Sequence, residues 1–419
     1  MTTTAEAQTL LVQLLDPANR ANPYPMYQQI RERGPLLMPE ANLTVFSSYP
    51  DCDEVLRHPA SSSDGMKSTA VQRQLAEGTV VRPPGPPGFL FLDPPDHTRL
   101  RRLVSKAFVP KVVKALEPDI TDLVTELLDA IEARGHFDVV ADLAYPLPVA
   151  VICRLLGVPL EDEPKFSRAS ALLAQALDPF ITLTGEVPGG VDPRLEAGRW
   201  LREYLHGLID QRRGAPRDDL ISGLIAAEEG GDQLSEDEIV ATCNLLLIAG
   251  HETTVNLIAN AVQAMLREPS QWRALGADPS RVSAVIEESM RYDPPVQLAM
   301  RIAGADMTIG GTGGQERSDR GPVTDILKGD SMLLLIAAAH HDPDSIDRPD
   351  QFDPDRETIR HLGFGKGPHF CIGAPLARLE ASVALTAVTA RFPNARIAGD
   401  AVYKPNVTLR GLAMLPVAV

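Results

Sequence analysis

From Ser235 to Arg267 the chain keeps one helical hydrophobic rhythm without a single proline. Ser235-Glu-Asp-Glu238 opens it as a capping box, and Glu268-Pro269 closes it. About 33 residues at the standard rise make roughly 50 Å of helix. A helix that long crosses a whole domain instead of covering one side of it. The rest of the chain must therefore wrap around it.

The remaining pattern agrees. Leu116 to Ile131 and Leu195 to Ile209 read as amphipathic helices, one more precedes Asp293-Pro294-Pro295, and another follows Pro375. Strand signals are few and short: Thr44 to Ser47, Met307 to Ile309, Met332 to Ile336 and Leu412 to Val419. No strand–helix alternation and no internal repeat is present. Length alone would allow two or three domains among 419 residues. The pattern predicts a mainly α fold with small marginal sheets, one domain over residues 1–419 with a surface insertion at 310–325. Thr79 to Gly88 and Gly310 to Gly321 read as loops, rich in glycine with proline or charge.

Charge and cysteine usage exclude several functions. A net charge of −16 argues against general binding to nucleic acid or anionic membranes. Cys52, Cys153, Cys243 and Cys371 are far apart, so zinc-ribbon and Cys-x-x-Cys redox spacings are absent. The first residues lack the basic and apolar regions of a signal peptide, and no apolar run approaches a membrane span. A cytoplasmic monomer without a membrane anchor is expected.

The decisive segment is Phe364-Gly-Lys-Gly367-Pro-His369-Phe-Cys371-Ile-Gly373, followed by Ala374-Pro375-Leu-Ala-Arg378. Its glycines let the backbone turn tightly around Cys371 and let another body approach. Pro375 suits the first turn of a helix, which places Cys371 near a helix N-terminus, where a thiolate is favoured. One thiolate with no second Cys or His at metal spacing suits a single axial bond to haem iron. The other three cysteines read as small buried residues.

This loop resembles the haem-binding loop of the cytochrome P-450 haem-thiolate monooxygenases. The resemblance runs from Asn22-Pro-Tyr-Pro25 to Arg410-Gly-Leu412, and is closest to the soluble bacterial branch. It implies haem b, iron protoporphyrin IX, ligated by Cys371 and lying between the long helix and the Cys-loop helix. Phe364 and Gly373 would line the loop side. On the long helix, Ala249-Gly250-His-Glu252-Thr253-Thr254 would face dioxygen. There Ala249 and Gly250 remove bulk, Thr253 orders water, and Glu252 gates proton delivery for O–O cleavage. His97, Arg101, Arg301 and His369 would hold the haem carboxylates. Glu288, Arg291 and Arg356 would form a structural charge triad locking the loop before Cys371.

The resemblance also implies a separate ferredoxin-type electron donor. Arg99, Arg102, Lys106, Lys366 and Arg378 are its candidate docking residues. One departure stands out: the usual Asn-Arg-Asp after the central strand is here His340-His341-Asp342. Adjacent histidines on a strand do not converge on one metal ion.

Pocket positions implied by the resemblance are the Thr79–Phe91 loop, the Leu172–Val191 segment, Leu246 to Thr253, Val296 to Leu298, and Leu412. Most are apolar and suit a lipophilic small-molecule substrate, with terpenoid, steroid, polyketide and fatty-acyl compounds all open. The expected function is insertion of one oxygen atom from dioxygen, as hydroxylation or epoxidation. The alternatives are a peroxide-driven peroxygenase, whose branch lacks the acid–Thr pair, and a non-catalytic haem-thiolate sensor, which needs no proton-delivery residues.

Overall fold

The computed structural model describes residues 4–79, 85–179, 193–229, 232–310 and 323–419. At its centre is the helix Glu236–Arg267. Ser235 Oγ accepts from the Glu238 peptide N–H at 3.3 Å, and Glu238 Oε2 accepts from the Ser235 N–H at 2.8 Å. The expected capping box is thus formed on both sides. The helices Pro146–Leu156, Pro193–Gly214, Pro269–Ala277, Val282–Tyr292 and Ala374–Arg391 all pack against this one helix. Enclosed on so many sides, it is apolar nearly all round. Among the described residues it is the one helix long and apolar enough to cross a bilayer, yet 65% of that apolar window is buried inside the protein. It is a core helix.

The largest sheet has five strands in the order Leu36–Met38, Leu43–Phe46, Ser331–Leu335, Leu298–Ala303 and Ser61–Ser62. Ser331–Leu335 runs parallel to Leu43–Phe46 and antiparallel to Leu298–Ala303. Its side chains alternate between two apolar clusters: Leu333 and Leu335 pack with Met26 and Ile30, whereas Met332 and Leu334 pack with Val55 and Leu56. A strand covered on both faces reads as a continuous apolar run, and this one does. The antiparallel register sets Arg301 opposite Met332.

One expectation changes and one strand is new. Leu412 to Val419 is not one strand: Leu412–Met414 pairs with Val402–Tyr403, while Pro416–Ala418 pairs with Arg396–Ile397 and His136–Asp138. Proline has no N–H to continue a ladder, so the chain changes partner there. Leu298–Ala303 was not visible as a strand, because Leu-Ala-Met-Arg-Ile-Ala shows neither alternation nor β-branched enrichment. The hairpin Met307–Ile309 with Thr324–Ile326 closes the base of the expected insertion, while residues 311–322 lie outside the described residues.

Candidate active site

The Cys loop is shaped by its own backbone. Leu362 O accepts from Gly365 N at 2.7 Å, and Phe364 O accepts from Cys371 N at 2.8 Å. Gly365 and Gly367 have φ of +69° and +65°, a region side chains rarely enter. At Gly367 any Cβ would also meet the Leu56 carbonyl at 2.8 Å. Gly373 then caps the helix Ala374–Arg391, with Pro375 in its first turn.

At the Cys371 sulfur, burial pushes the thiol pKa up. The Gly373 and Ala374 peptide N–H groups and the Arg101 and Arg378 charges pull the other way, but burial wins. The helix start therefore favours the thiolate less than the sequence suggested. Coordination to a metal deprotonates such a thiol outright. Beside it, the Arg378 guanidinium lies 4.4 Å from the Phe364 ring centre and is held by Glu287 at 2.6 and 2.9 Å. Burial alone would raise the Glu287 pKa; hydrogen bonds from Arg378 and His361 outweigh it and hold it at about 2.

Four predicted carboxylate-binding groups converge nearby. The rings of His97 and His369 are in contact, tilted by 42° with centroids 4.1 Å apart. Both nitrogens of His97 and Nδ1 of His369 are buried with no hydrogen-bond partner. Burial, reinforced by His97 and Arg301, lowers the His369 pKa to about 3. Burial likewise lowers Arg101, and takes Arg301 down to about 10. Arg101 donates to the Phe370 carbonyl and Arg301 to the Met300 carbonyl. Two desolvated guanidiniums beside unpartnered imidazole nitrogens call for an anion. The paired carboxylates of haem b would meet that need, and Cys371 could offer its iron one sulfur, so the residues present fit the group.

On the central helix, Ala249 is exposed although Leu246, Leu247 and Val255 around it are buried. Thr253 Oγ1 donates to the Ala249 carbonyl at 2.8 Å. The expectation for Gly250 is corrected: its missing Cβ faces Ile152, whose Cδ1 would lie 2.9 Å away. The bulk it removes is from a helix–helix contact. Glu252 does not stand alone. Lys404 Nζ, from the turn after Val402–Tyr403, donates to Glu252 Oε2 at 2.7 Å and to Asn256 Oδ1 at 3.0 Å. Nothing in the sequence points to Lys404.

The structure brings Glu288, Arg291 and Arg356 together. Arg291 donates to Glu288 through Nε at 2.8 Å and Nη2 at 2.6 Å, and Arg356 Nε adds a third bond at 3.1 Å. Glu288 and Arg291 are fully buried. The docking residues do not form one free cationic set. Arg99 pairs with Glu238, and Arg378 with Glu287; Arg102 and Lys106 are exposed and Lys366 is half-buried. His340 and His341 hydrogen-bond separate partners, and among the described residues no group of three or more His, Cys, Asp or Glu could hold a metal ion. Of the pocket positions, Leu246, Leu298 and Leu412 are buried, while 80–84 and 180–191 lie outside the described residues.

The family profile described as Cytochrome P450 matches residues 35–278 and 280–416. Vitamin D(3) 25-hydroxylase of Pseudonocardia autotrophica is 38% identical over 407 residues, covering 95% of this chain and 94% of that protein. Cytochrome P450 monooxygenase PikC of Streptomyces venezuelae is 37% identical over 428 residues, covering 99% and 95%. The crystal structure of Mycobacterium smegmatis CYP164A2, ligand-free and with econazole bound, superposes with a TM-score of 0.91 at 66% identity, covering 98% of this chain and 100% of that one. A profile match along almost the whole length, on a fold that gathers a half-buried thiol and a cluster suited to an anion, places the chain in the cytochrome P450 family of haem b monooxygenases.

Proposed function

We propose that this enzyme inserts one oxygen atom from dioxygen into a lipophilic small molecule, as hydroxylation or epoxidation, with electrons from a separate ferredoxin and reductase. The observation that carries the reading is the half-buried Glu252–Thr253 pair one turn beyond the exposed Ala249 of the central helix, with its carboxylate already held by Lys404. Haem, when bound, supplies dioxygen activation. Cys371 Sγ would ligate its iron, and His97, Arg101, Arg301 and His369 would hold its carboxylates. Thr253 Oγ1 holds a hydroxyl proton that it now gives to the Ala249 carbonyl, and that is the proton it has to offer. Glu252 takes protons from solvent and passes them toward that hydroxyl.

The relative that is a vitamin D(3) hydroxylase and the related structure with econazole bound both support a lipophilic substrate. Substrate binding is assigned to Leu246, Leu298, Leu412 and the exposed face at Ala249, and electron-donor docking to the exposed Arg102 and Lys106 with Lys366. The protein is proposed to work as a cytoplasmic monomer of one domain.

Two measurements test this. The reduced protein with carbon monoxide is expected to show a thiolate-type Soret band that Cys371→Ser abolishes; a band that survives the substitution refutes the ligand. Thr253→Ala is expected to raise electron consumption per product sharply, because the positioned proton-transfer group is lost. Unchanged coupling refutes the role of Thr253.

A further inference from the structure

The histidine at 340 is buried completely, at the end of the short helix Ile336–His340. Its Nδ1 lies 3.0 Å from the Arg291 carbonyl oxygen, and its Nε2 lies 2.7 Å from the Leu362 peptide nitrogen. A carbonyl only accepts and a peptide N–H only donates. The ring therefore carries its proton on Nδ1 and is bare at Nε2. Arg291 Nη1 returns a bond to the His340 carbonyl at 3.2 Å, so this histidine is joined twice to the charge triad.

A second imidazole does the same for the next residue. His361 Nδ1 accepts from the Gly363 peptide N–H at 3.1 Å, and His361 Nε2 lies 2.9 Å from Glu287 Oε2. Glu287 is the carboxylate that also holds Arg378 over Phe364. This ring is bare at Nδ1 and protonated at Nε2, the opposite tautomer. The two rings stand 6.2 Å apart and 80° to one another. Gly363 is confined from its other side, because a Cβ there would meet Met290 Cε at 2.6 Å.

Leu362 and Gly363 are the entry to the Cys loop. The Leu362 carbonyl accepts from Gly365, and the following Phe364 carbonyl accepts from Cys371 itself. The Gly363 N–H shares its peptide plane with the Leu362 carbonyl, so tilting that plane turns the carbonyl that holds Gly365, and the Leu362 N–H fixes the plane just before it. We propose that His340 and His361 are paired positioning residues: two neutral imidazoles of opposite tautomer that hold successive peptide N–H groups and so set where the loop delivers the Cys371 sulfur. The inference rests on Cys371 as the iron ligand. It also gives the departure at His340 a purpose that has nothing to do with metal binding.

The test uses the full-length haem-loaded protein and four variants. His340→Leu and His361→Leu remove the acceptors. His340→Gln puts an amide oxygen near the Nε2 position, and His361→Asn puts one at the Nδ1 position as an Asx turn. Hydrogen–deuterium exchange of the segment Leu362 to Phe364, the carbon monoxide difference spectrum and the haem reduction potential are read together, with far-UV circular dichroism to verify folding. The Leu variants are expected to exchange ~10-fold faster or more at this segment, to lose much of the thiolate-type band, and to shift in potential; Gln and Asn restore all three. Leu variants indistinguishable from wild type, or Gln and Asn variants as impaired as Leu, overturn the proposal. Should His340→Leu fail to fold, the His361 pair, nearer the surface, decides alone. A wild-type protein without a thiolate-type band refutes the ligand assignment instead, and the exchange data still judge the two histidines.

Discussion

Glu252 and Lys404 are 152 positions apart in the chain and 2.7 Å apart in space. Each is mostly shielded from water, so each desolvated charge depends on the other. Lys404→Met is expected to leave an unpaired carboxylate in the site and cost ~1–3 kcal/mol. It is also expected to lower product yield per electron pair, because the carboxylate loses the partner that fixes its position. Chemical denaturation and product yield check both. An unchanged yield would show that the lysine is only a tether. At this scale the sequence is partly legible. Cys371, Thr253 and Glu252 stand in short spacings that a reader can see. Lys404 sits in a turn of ordinary composition, and only the folding of the C-terminal hairpin against the long helix gives it a role.

That hairpin shows what element packing adds. Val402–Tyr403 and Leu412–Met414 lie along the central helix, and Tyr403 donates to Gln263 at 3.0 Å. Gly411 fits against Asn256, where a Cβ would land on the amide. Gly411→Ala is expected to force Asn256 aside and cost ~1–3 kcal/mol. Because Asn256 also receives Lys404, the same substitution should disturb the Glu252 pair. A melting temperature and coupling ratio both equal to wild type would refute this. The helices are legible from periodicity and caps: Ser235 and Pro375 mark starts where the structure has them. The strands are legible only in part: those near 44–47, 307–309 and 332–336 are there, but one is not. Leu298–Ala303 is a strand because its neighbours pair with it, and no propensity in its six residues announces that.

For the molecule as a whole, one buried acid shapes the pH response. Glu380, on the Cys-loop helix, has no hydrogen-bond partner for Oε2, and burial pushes its pKa up from 4.5 to about 8. The folded state then holds a proton that the unfolded chain releases. Its contribution is fully present below pH 4.5 and is lost as pH rises toward about 8, at about 1.4 kcal/mol per pH unit. Glu380→Gln removes the titration. Its stability relative to wild type should therefore increase between roughly pH 5 and pH 8 and level off above. Urea denaturation across that range checks the sign, and a flat difference would show that Glu380 is ionised alike in both states. The mainly helical frame around one long axis is readable from 235–267. The clustering of His97, His369, Arg101 and Arg301 needed the family resemblance, since these residues come from three distant stretches of chain.

The ion pair between helix and hairpin has a consequence for recombining this enzyme with its relatives. Exchanging the C-terminal part of one parent for another is an obvious way to alter the pocket to which Leu412 is assigned under the proposed function. Any crossover between residues 252 and 404 separates the acid from its lysine, and one between 256 and 411 separates Asn256 from the glycine shaped to receive it. Chimaeras that inherit all four residues from one parent should keep electron use tied to product, whereas mixed ones should spend electrons without it. Library design can therefore treat Glu252, Asn256, Lys404 and Gly411 as one heritable block.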